Sequence, residues 1–283
     1  MRLGTRGSAL ALAQCRGVAD ALGAEVVTIT TSGDRDRARG DKERWVREID
    51  AALLRGDVDV AVHSAKDVPA QLADGIVIAA VPPRADPYDA LCGAATLTAL
   101  PDGARVGTSS LRRAAQLRAL RGDLEILELR GNVDTRLGRL AAGDYDAIVL
   151  ARAGLDRLGR GAEATGSLDE MVPAAGQGTL AVTVRADDAD THAAVARLTD
   201  PAAARCLEAE RALVRALGAD CHTPLGAHAS ADGDGDLLLR AFVGAPDGSA
   251  WLRDDLRGAD PEDLGAEVAR RLQTAGADEV LGR

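Results

Sequence analysis

Only five of the 283 side chains are aromatic: Trp45, Tyr88, Tyr145, Phe242 and Trp251. Any core must therefore be built from Ala, Val, Leu and Ile. Four cysteines (Cys15, Cys92, Cys206, Cys221) lie scattered without metal-like pairing, which argues against a thiolate metal site and suits a reducing compartment. No apolar run approaches the roughly 20 residues of a membrane span. The opening Met1–Cys15 superficially mimics a secretion signal, with Arg2 and Arg6 before Ala9–Ala13. Its apolar stretch is too short and is broken by Gly7 and Gln14, so we reject that reading. Lysine is nearly absent: of 34 basic residues only Lys42 and Lys66 are not arginine. That bias makes arginine richness weak evidence by itself. A formal net charge of −10 argues against non-specific nucleic-acid binding. What remains is a cytoplasmic α/β protein with room for two or three domains.

The chain alternates strand and helix twice. Over residues 1–81 the pattern predicts a strand to Leu3, a helix near Ser8–Leu22 and a strand at Val26–Thr31. A helix near Trp45–Leu54 and a strand at Val58–His63 follow. Pro82-Pro83 punctuates. A second run over 86–174 carries strands near Arg105–Thr108, Glu125–Leu129 and Ala147–Leu150. Such alternation predicts parallel sheets. After Pro173–Gly178 comes a strand at Leu180–Val184. A helix from Pro201 to Leu217, three strands near Gly226–Ala231, Leu237–Val243 and Ala250–Leu256, and a helix near Pro261–Ala275 suggest a smaller α+β domain. The polar segment Ser32–Arg44 reads as a mobile charged loop.

Two features point to chemistry. The apolar run ending in His63-Ser64-Ala65-Lys66-Asp67-Val68-Pro69 resembles a buried strand delivering functional groups at its carboxyl end. A carboxylate there can stabilise a developing positive charge. The plain alternative is that Asp67 caps the next turn and Lys66 is solvated. The second feature is arginine at the wrong end of helices. Ser109-Ser110-Leu111-Arg112-Arg113 follows a strand and opens a helix, so both cations sit where the helix dipole is already positive. Arg130-Gly131-Asn132 with Arg136, and Gly4-Thr5-Arg6-Gly7-Ser8, are junctions of the same kind. A bound anion would reverse the cost; random clustering of an abundant residue is the alternative. Residues 105–160 hold 11 Arg against 7 Asp plus Glu, a net of +4 within an acidic chain. Cys221 lies in a turn-rich loop, Gly218 to Gly226, where a thiol can be an attachment point or a nucleophile. Cys221–His222 as a metal site lacks a second ligand pair, so no metal is expected.

These motifs together resemble the hydroxymethylbilane synthase (porphobilinogen deaminase) family. The matching stretches are Gly4–Ala11, Val62–Pro69, Gly107–Arg113, Leu129–Val133 with Thr135-Arg136-Leu137, and Tyr145–Leu150 with Ala153-Gly154-Leu155. Pro173–Gly178 and Cys221 with Pro224-Leu225-Gly226 complete the set, in family order over nearly the whole chain. The resemblance implies an α/β fold of three domains: two lobes like periplasmic binding proteins and a small C-terminal α+β domain. Residues 1–81 with 179–197 form the first, 86–174 the second and 201–283 the third. It implies a covalent dipyrromethane cofactor held by a thioether to Cys221, onto which four porphobilinogen molecules are added with loss of ammonia. Asp67 would be the catalytic carboxylate, facing the cationic azafulvene that ammonia loss creates. Ser64, Lys66, Asp67, Ser110, Arg112, Arg113 and Arg136 would hold the cofactor. Arg6, Ser8, Arg130, Asn132 and Arg157 would hold substrate. Lys42 and Trp45 would belong to a flap, although Lys42-Glu43-Arg44-Trp45 departs from the family's lysine-glycine-x-phenylalanine pattern. Asp220 and His222 flank the cysteine where small or uncharged residues are common. The resemblance also implies a monomer that needs neither nucleic acid nor membrane. A non-catalytic polycarboxylate-binding protein is the rival, and Asp67 and Cys221 discriminate, since binding alone needs neither.

Overall fold

The computed structural model describes residues 1–31, 43–220, 222–233 and 235–283, with the side chains of 43–45 outside the description. Lys42, the side chain of Trp45, Cys221 and most of the Ser32–Arg44 loop therefore lie outside the described residues. Chain contacts divide the molecule into two units, Met1–Ala85 with Gly178–Leu207, and Asp86–Gln177 with Glu208–Arg283.

The first unit opens with β1 (Arg2–Arg6), α1 (Ala9–Leu22), β2 (Glu25–Ile29), α2 (Glu43–Leu54), β3 (Val60–Ser64) and β4 (Ile76–Ala80). Ser8 starts α1 by accepting from the Ala11 backbone N–H, and Gly23 ends it at a φ of 59°, the left-handed conformation glycine tolerates. Cys15, Val18 and Ala19 recur at helical spacing and join Leu3, Val60, Val62, Val182 and Val184 in one core. Ile49, Ala52 and Leu53 of α2 pack with Val58, Ala61 and Ile76 in a second cluster.

The second unit contains β5 (Asp89–Cys92), β6 (Arg105–Gly107), α3 (Leu111–Leu120), β7 (Glu125–Leu127) and α4 (Val133–Ala141). It continues through β8 (Ala147–Ala151), α5 (Arg152–Arg157) and the short β9 (Gly166–Ser167). The chain then returns to the first unit as β10 (Leu180–Arg185) and α6 (Ala189–Ala196). Helix α7 (Pro201–Ala216) leads to β11 (Leu225–Asp232), β12 (Asp236–Gly244), β13 (Trp251–Gly258), α8 (Pro261–Thr274) and α9 (Ala277–Leu281).

Three sheets result. The first has order β2-β1-β3-β10-β4, the second β7-β6-β8-β5-β9, and the third is the meander β11-β12-β13. The expected parallel sheets need correction. In the first, β10 runs antiparallel to β3 (Leu180↔Ser64) and to β4. In the second, β5 runs antiparallel to β8 (Ala90↔Leu150) and to β9. The reversed strands are the two that follow a change of unit, after Pro82-Pro83 and after Pro173–Gly178. A strand arriving from another unit has no crossover helix to fix its direction, so the parallel rule applies only within the βαβ repeats. The meander packs against its own unit: Ala227 N–H donates to Pro173 O at 2.9 Å, and Phe242 buries beside Ala115 and Val172.

Candidate active site

In the first unit the carboxylate expected to be catalytic lies just past the end of β3. The strand is buried from end to end and delivers Ser64, also buried, to a 3₁₀ turn over Ala65–Asp67. Ala65 N–H donates to Thr179 O at 3.0 Å and Val68 N–H to Ala65 O at 3.2 Å, so the turn is pinned on both sides. Lys66 and Asp67 are half-buried on it. One residue before Ser64, His63 is buried and its Nε2 has no hydrogen-bond partner among the described residues. Burial pushes its pKa down to about 4, against the opposing pull of the Asp67 charge. His63 is thus a neutral imidazole at pH 7, and the acidic group on this turn is Asp67. Arg6 is half-buried at the end of β1, and Ser8 is the cap of α1, its Oγ accepting from Ala11 at 3.2 Å.

In the second unit the arginines gather at the start of α3. Ser110 caps the helix and accepts from the Arg113 backbone N–H. Arg112 and Arg113, in its first turn, are both buried. The anion expected beside them as a bound ligand is in part internal to the protein. Asp89, at the head of β5 and 1% exposed, accepts from Arg112 Nη2 at 2.8 Å and from Arg113 Nη2 at 2.8 Å. Burial alone would raise the Asp89 pKa, but the two guanidiniums outweigh it and hold the carboxyl far below the usual range.

One carboxylate does not balance two guanidiniums, and a third cation is near. Arg136 Nε donates to Gly131 O at 2.9 Å. Burial, then the neighbouring Arg113, push its pKa down to about 10. Asn132 caps α4 by accepting from Thr135 N–H at 2.8 Å. Gly131 must be glycine: its φ is 114°, and a Cβ would stand 2.9 Å from Thr135 Cγ2. Arg157, at the end of α5, is half-buried and its pKa is lowered by burial. Arg130 is exposed and pairs with Glu128 at 2.7 Å. Ser110, Arg112, Arg113 and Arg136 therefore come together around a surplus of positive charge, whereas Arg130 is a surface group.

Composition and pattern missed Asp89 and Gln177, whose Nε2 donates to Asp89 Oδ1 at 2.8 Å. An acidic residue heading the apolar run Ala90-Leu91-Cys92 was the available signal. The other cysteines are buried thiols; burial pushes Cys92 up to about 11, so it is inert. Beside position 221, Asp220 Oδ1 accepts from His222 N–H and from Thr223 Oγ1, both at 2.9 Å. Partial burial would raise the Asp220 pKa, but these bonds hold it below the ordinary range. Arg283 Nη2 donates to Thr223 Oγ1 at 3.0 Å. Among the described residues no three metal-ligating side chains come together, and no helix is long and apolar enough to cross a membrane.

Residues 1–193 match the family model for the porphobilinogen deaminase dipyromethane cofactor binding domain, and residues 204–274 match that for the porphobilinogen deaminase C-terminal domain. The chain is 49% identical to a porphobilinogen deaminase of Rubrobacter xylanophilus over 99% of this chain and 96% of that one. It is equally identical, 49%, to the porphobilinogen deaminase of Roseiflexus castenholzii over 99% of this chain and 98% of the relative. Among solved structures, a periplasmic His/Glu/Gln/Arg/opine family-binding protein from Silicibacter pomeroyi superposes with a TM-score of 0.39 at 17% identity, over 70% of this chain and 88% of that one. With its cofactor-domain and C-terminal models both matched and its relatives covered almost end to end, the chain belongs to the porphobilinogen deaminase family.

Proposed function

We propose that this chain is a transferase that joins four porphobilinogen molecules head to tail into the linear tetrapyrrole hydroxymethylbilane, releasing ammonia at each addition. Family membership supports the activity and its place in tetrapyrrole biosynthesis. The observation that carries the reading into the geometry is the unbalanced positive charge around Arg112, Arg113 and Arg136. Each pyrrole of substrate and cofactor bears carboxylates, and guanidinium forks match them two bonds at a time. A half-desolvated cation such as Arg136 gains most from an incoming anion. The residues present fit a dipyrromethane group.

In this reading Cys221 holds the dipyrromethane by a thioether, and Ser64, Lys66, Asp67, Ser110, Arg112, Arg113 and Arg136 hold its side chains. When bound, the group supplies the primer from which the chain grows. Arg6, Ser8, Arg130, Asn132 and Arg157 take the incoming substrate. Asp67 offers its carboxylate to the positive charge that develops on porphobilinogen as ammonia departs. The neutral His63 behind it adds no competing cation. Lys42 and Trp45 belong to the flap. We also assign residues 1–81 with 179–197, 86–174 and 201–283 to three functional domains, and we take the protein to act as a cytoplasmic monomer without nucleic acid or membrane.

The test is turnover. Purified protein given porphobilinogen should release four ammonia per tetrapyrrole formed, and Arg136→Leu should slow it. Porphobilinogen left unconsumed by the parent protein would refute the reading.

A further inference from the structure

Asp89 holds two buried arginines and a glutamine at once. Its Oδ2 accepts from Arg112 Nη2 at 2.8 Å. Its Oδ1 accepts from Arg113 Nε at 3.1 Å, Arg113 Nη2 at 2.8 Å and Gln177 Nε2 at 2.8 Å. Two backbone carbonyls fix the outer nitrogens: Arg112 Nη1 donates to Val172 O at 2.8 Å and Arg113 Nη1 to Val149 O at 3.0 Å. Each guanidinium has five N–H donors. Arg112 gives two of them to the protein and Arg113 three, which leaves three and two without an acceptor among the described residues. The forks are held rigidly while half of their donors stay open.

Charge points the same way. One buried carboxylate faces two buried guanidiniums, with Arg136 close enough to Arg113 to feel its charge. Without Asp89 the cluster would carry three uncompensated cations, and any small anion would be drawn in. With it, the surplus is smaller and the open donors are preset.

We propose that Asp89 is a positioning residue of the carboxylate site: it orients the Arg112 and Arg113 forks and cancels one of their charges, so that the site favours a polycarboxylate over a simple inorganic anion. This rests on the reading of these arginines as carboxylate binders. A residue that served the fold alone would have no reason to alter anion preference.

The test is Asp89→Asn, which keeps shape and removes charge. Porphobilinogen turnover by the parent protein is measured first; its absence would sink the functional reading and take this inference with it. With an active parent, the variant should lose about tenfold or more in kcat/KM. At constant ionic strength it should also become at least about fivefold more sensitive to inorganic phosphate, since its cluster carries one more positive charge. Parental kinetics would overturn the proposal, and so would lost activity with parental phosphate sensitivity. Should Asp89→Asn not fold in phosphate-free buffer, added phosphate must restore its circular dichroism; an unfolded variant with and without phosphate would overturn it too.

Discussion

The two five-stranded sheets share one plan and opposite chemistry. Each has three parallel strands, then a reversed strand, then an edge strand: β2-β1-β3-β10-β4 and β7-β6-β8-β5-β9. In the first, the third strand of the order, β3, ends in a turn that carries a carboxylate, Asp67, behind a neutral buried histidine. In the second, the helix after β6 opens with two buried arginines, and a reversed strand brings the carboxylate that holds them. The lesson is that topology supplies positions, at strand ends and helix starts, while single residues at those positions decide which charge is offered.

Substitutions can break this comparison or sharpen it. The largest effect should come from Asp67→Ala, which removes the catalytic carboxylate proposed at the end of β3. Turnover of porphobilinogen should fall by about a thousandfold, with melting temperature unchanged and the cofactor still attached; full activity would remove this strand end from the chemistry. His63→Leu comes next and reads stability against pH. The folded state binds the His63 proton only near pH 4, whereas an unfolded histidine binds it near 6.5. The parent should therefore lose stability as pH falls from about 6.5 to about 4, by up to about 3 kcal/mol. His63→Leu should flatten that limb in urea titrations at several pH values, and an unchanged slope would count against a neutral buried imidazole.

Arg136→Leu tests the other sheet. It should reduce kcat/KM about tenfold with little change in melting temperature, because burial and Arg113 both disfavour its charge and offset its bond to Gly131 O. A large drop in melting temperature with normal kinetics would make it structural. The smallest effect is a control at Asp50, a residue to which no role in the chemistry is assigned. Burial raises the Asp50 pKa to about 6, so the folded state holds that proton longer than the unfolded state and stability declines as pH rises through that range. Asp50→Asn should gain about 1 kcal/mol above pH 6, a figure reduced for partial exposure, with turnover untouched.

Local signals were legible and directions were not. The helix starts after Ser8, Ser110 and Asn132 fall at the strand–loop–helix junctions that the sequence marked, since a cap needs only its own next three residues. The strand before Asp67 was legible from the apolar run Val60-Ala61-Val62, although it spans Val60–Ser64 rather than Val58–His63. Strands β4, β5 and β9 and helices α5, α6 and α9 were missed, most of them six residues or fewer. The reversal of β5 and β10 was invisible because the return of the chain from the other unit sets it, not periodicity within the strand. Asp89 was hidden for a related reason: its partners lie 23, 24 and 88 residues away. The excess of arginine was readable, but not the carboxylate that takes up part of it.

The central claim is the proposed thioether attachment of a dipyrromethane to Cys221. Intact-mass spectrometry of the denatured protein, purified from a host rich in porphobilinogen, tests it directly. The account predicts a mass above that of the bare chain by two pyrrole units, lost in Cys221→Ser; a parent protein at the bare mass, or a serine variant that keeps the addition, would contradict it.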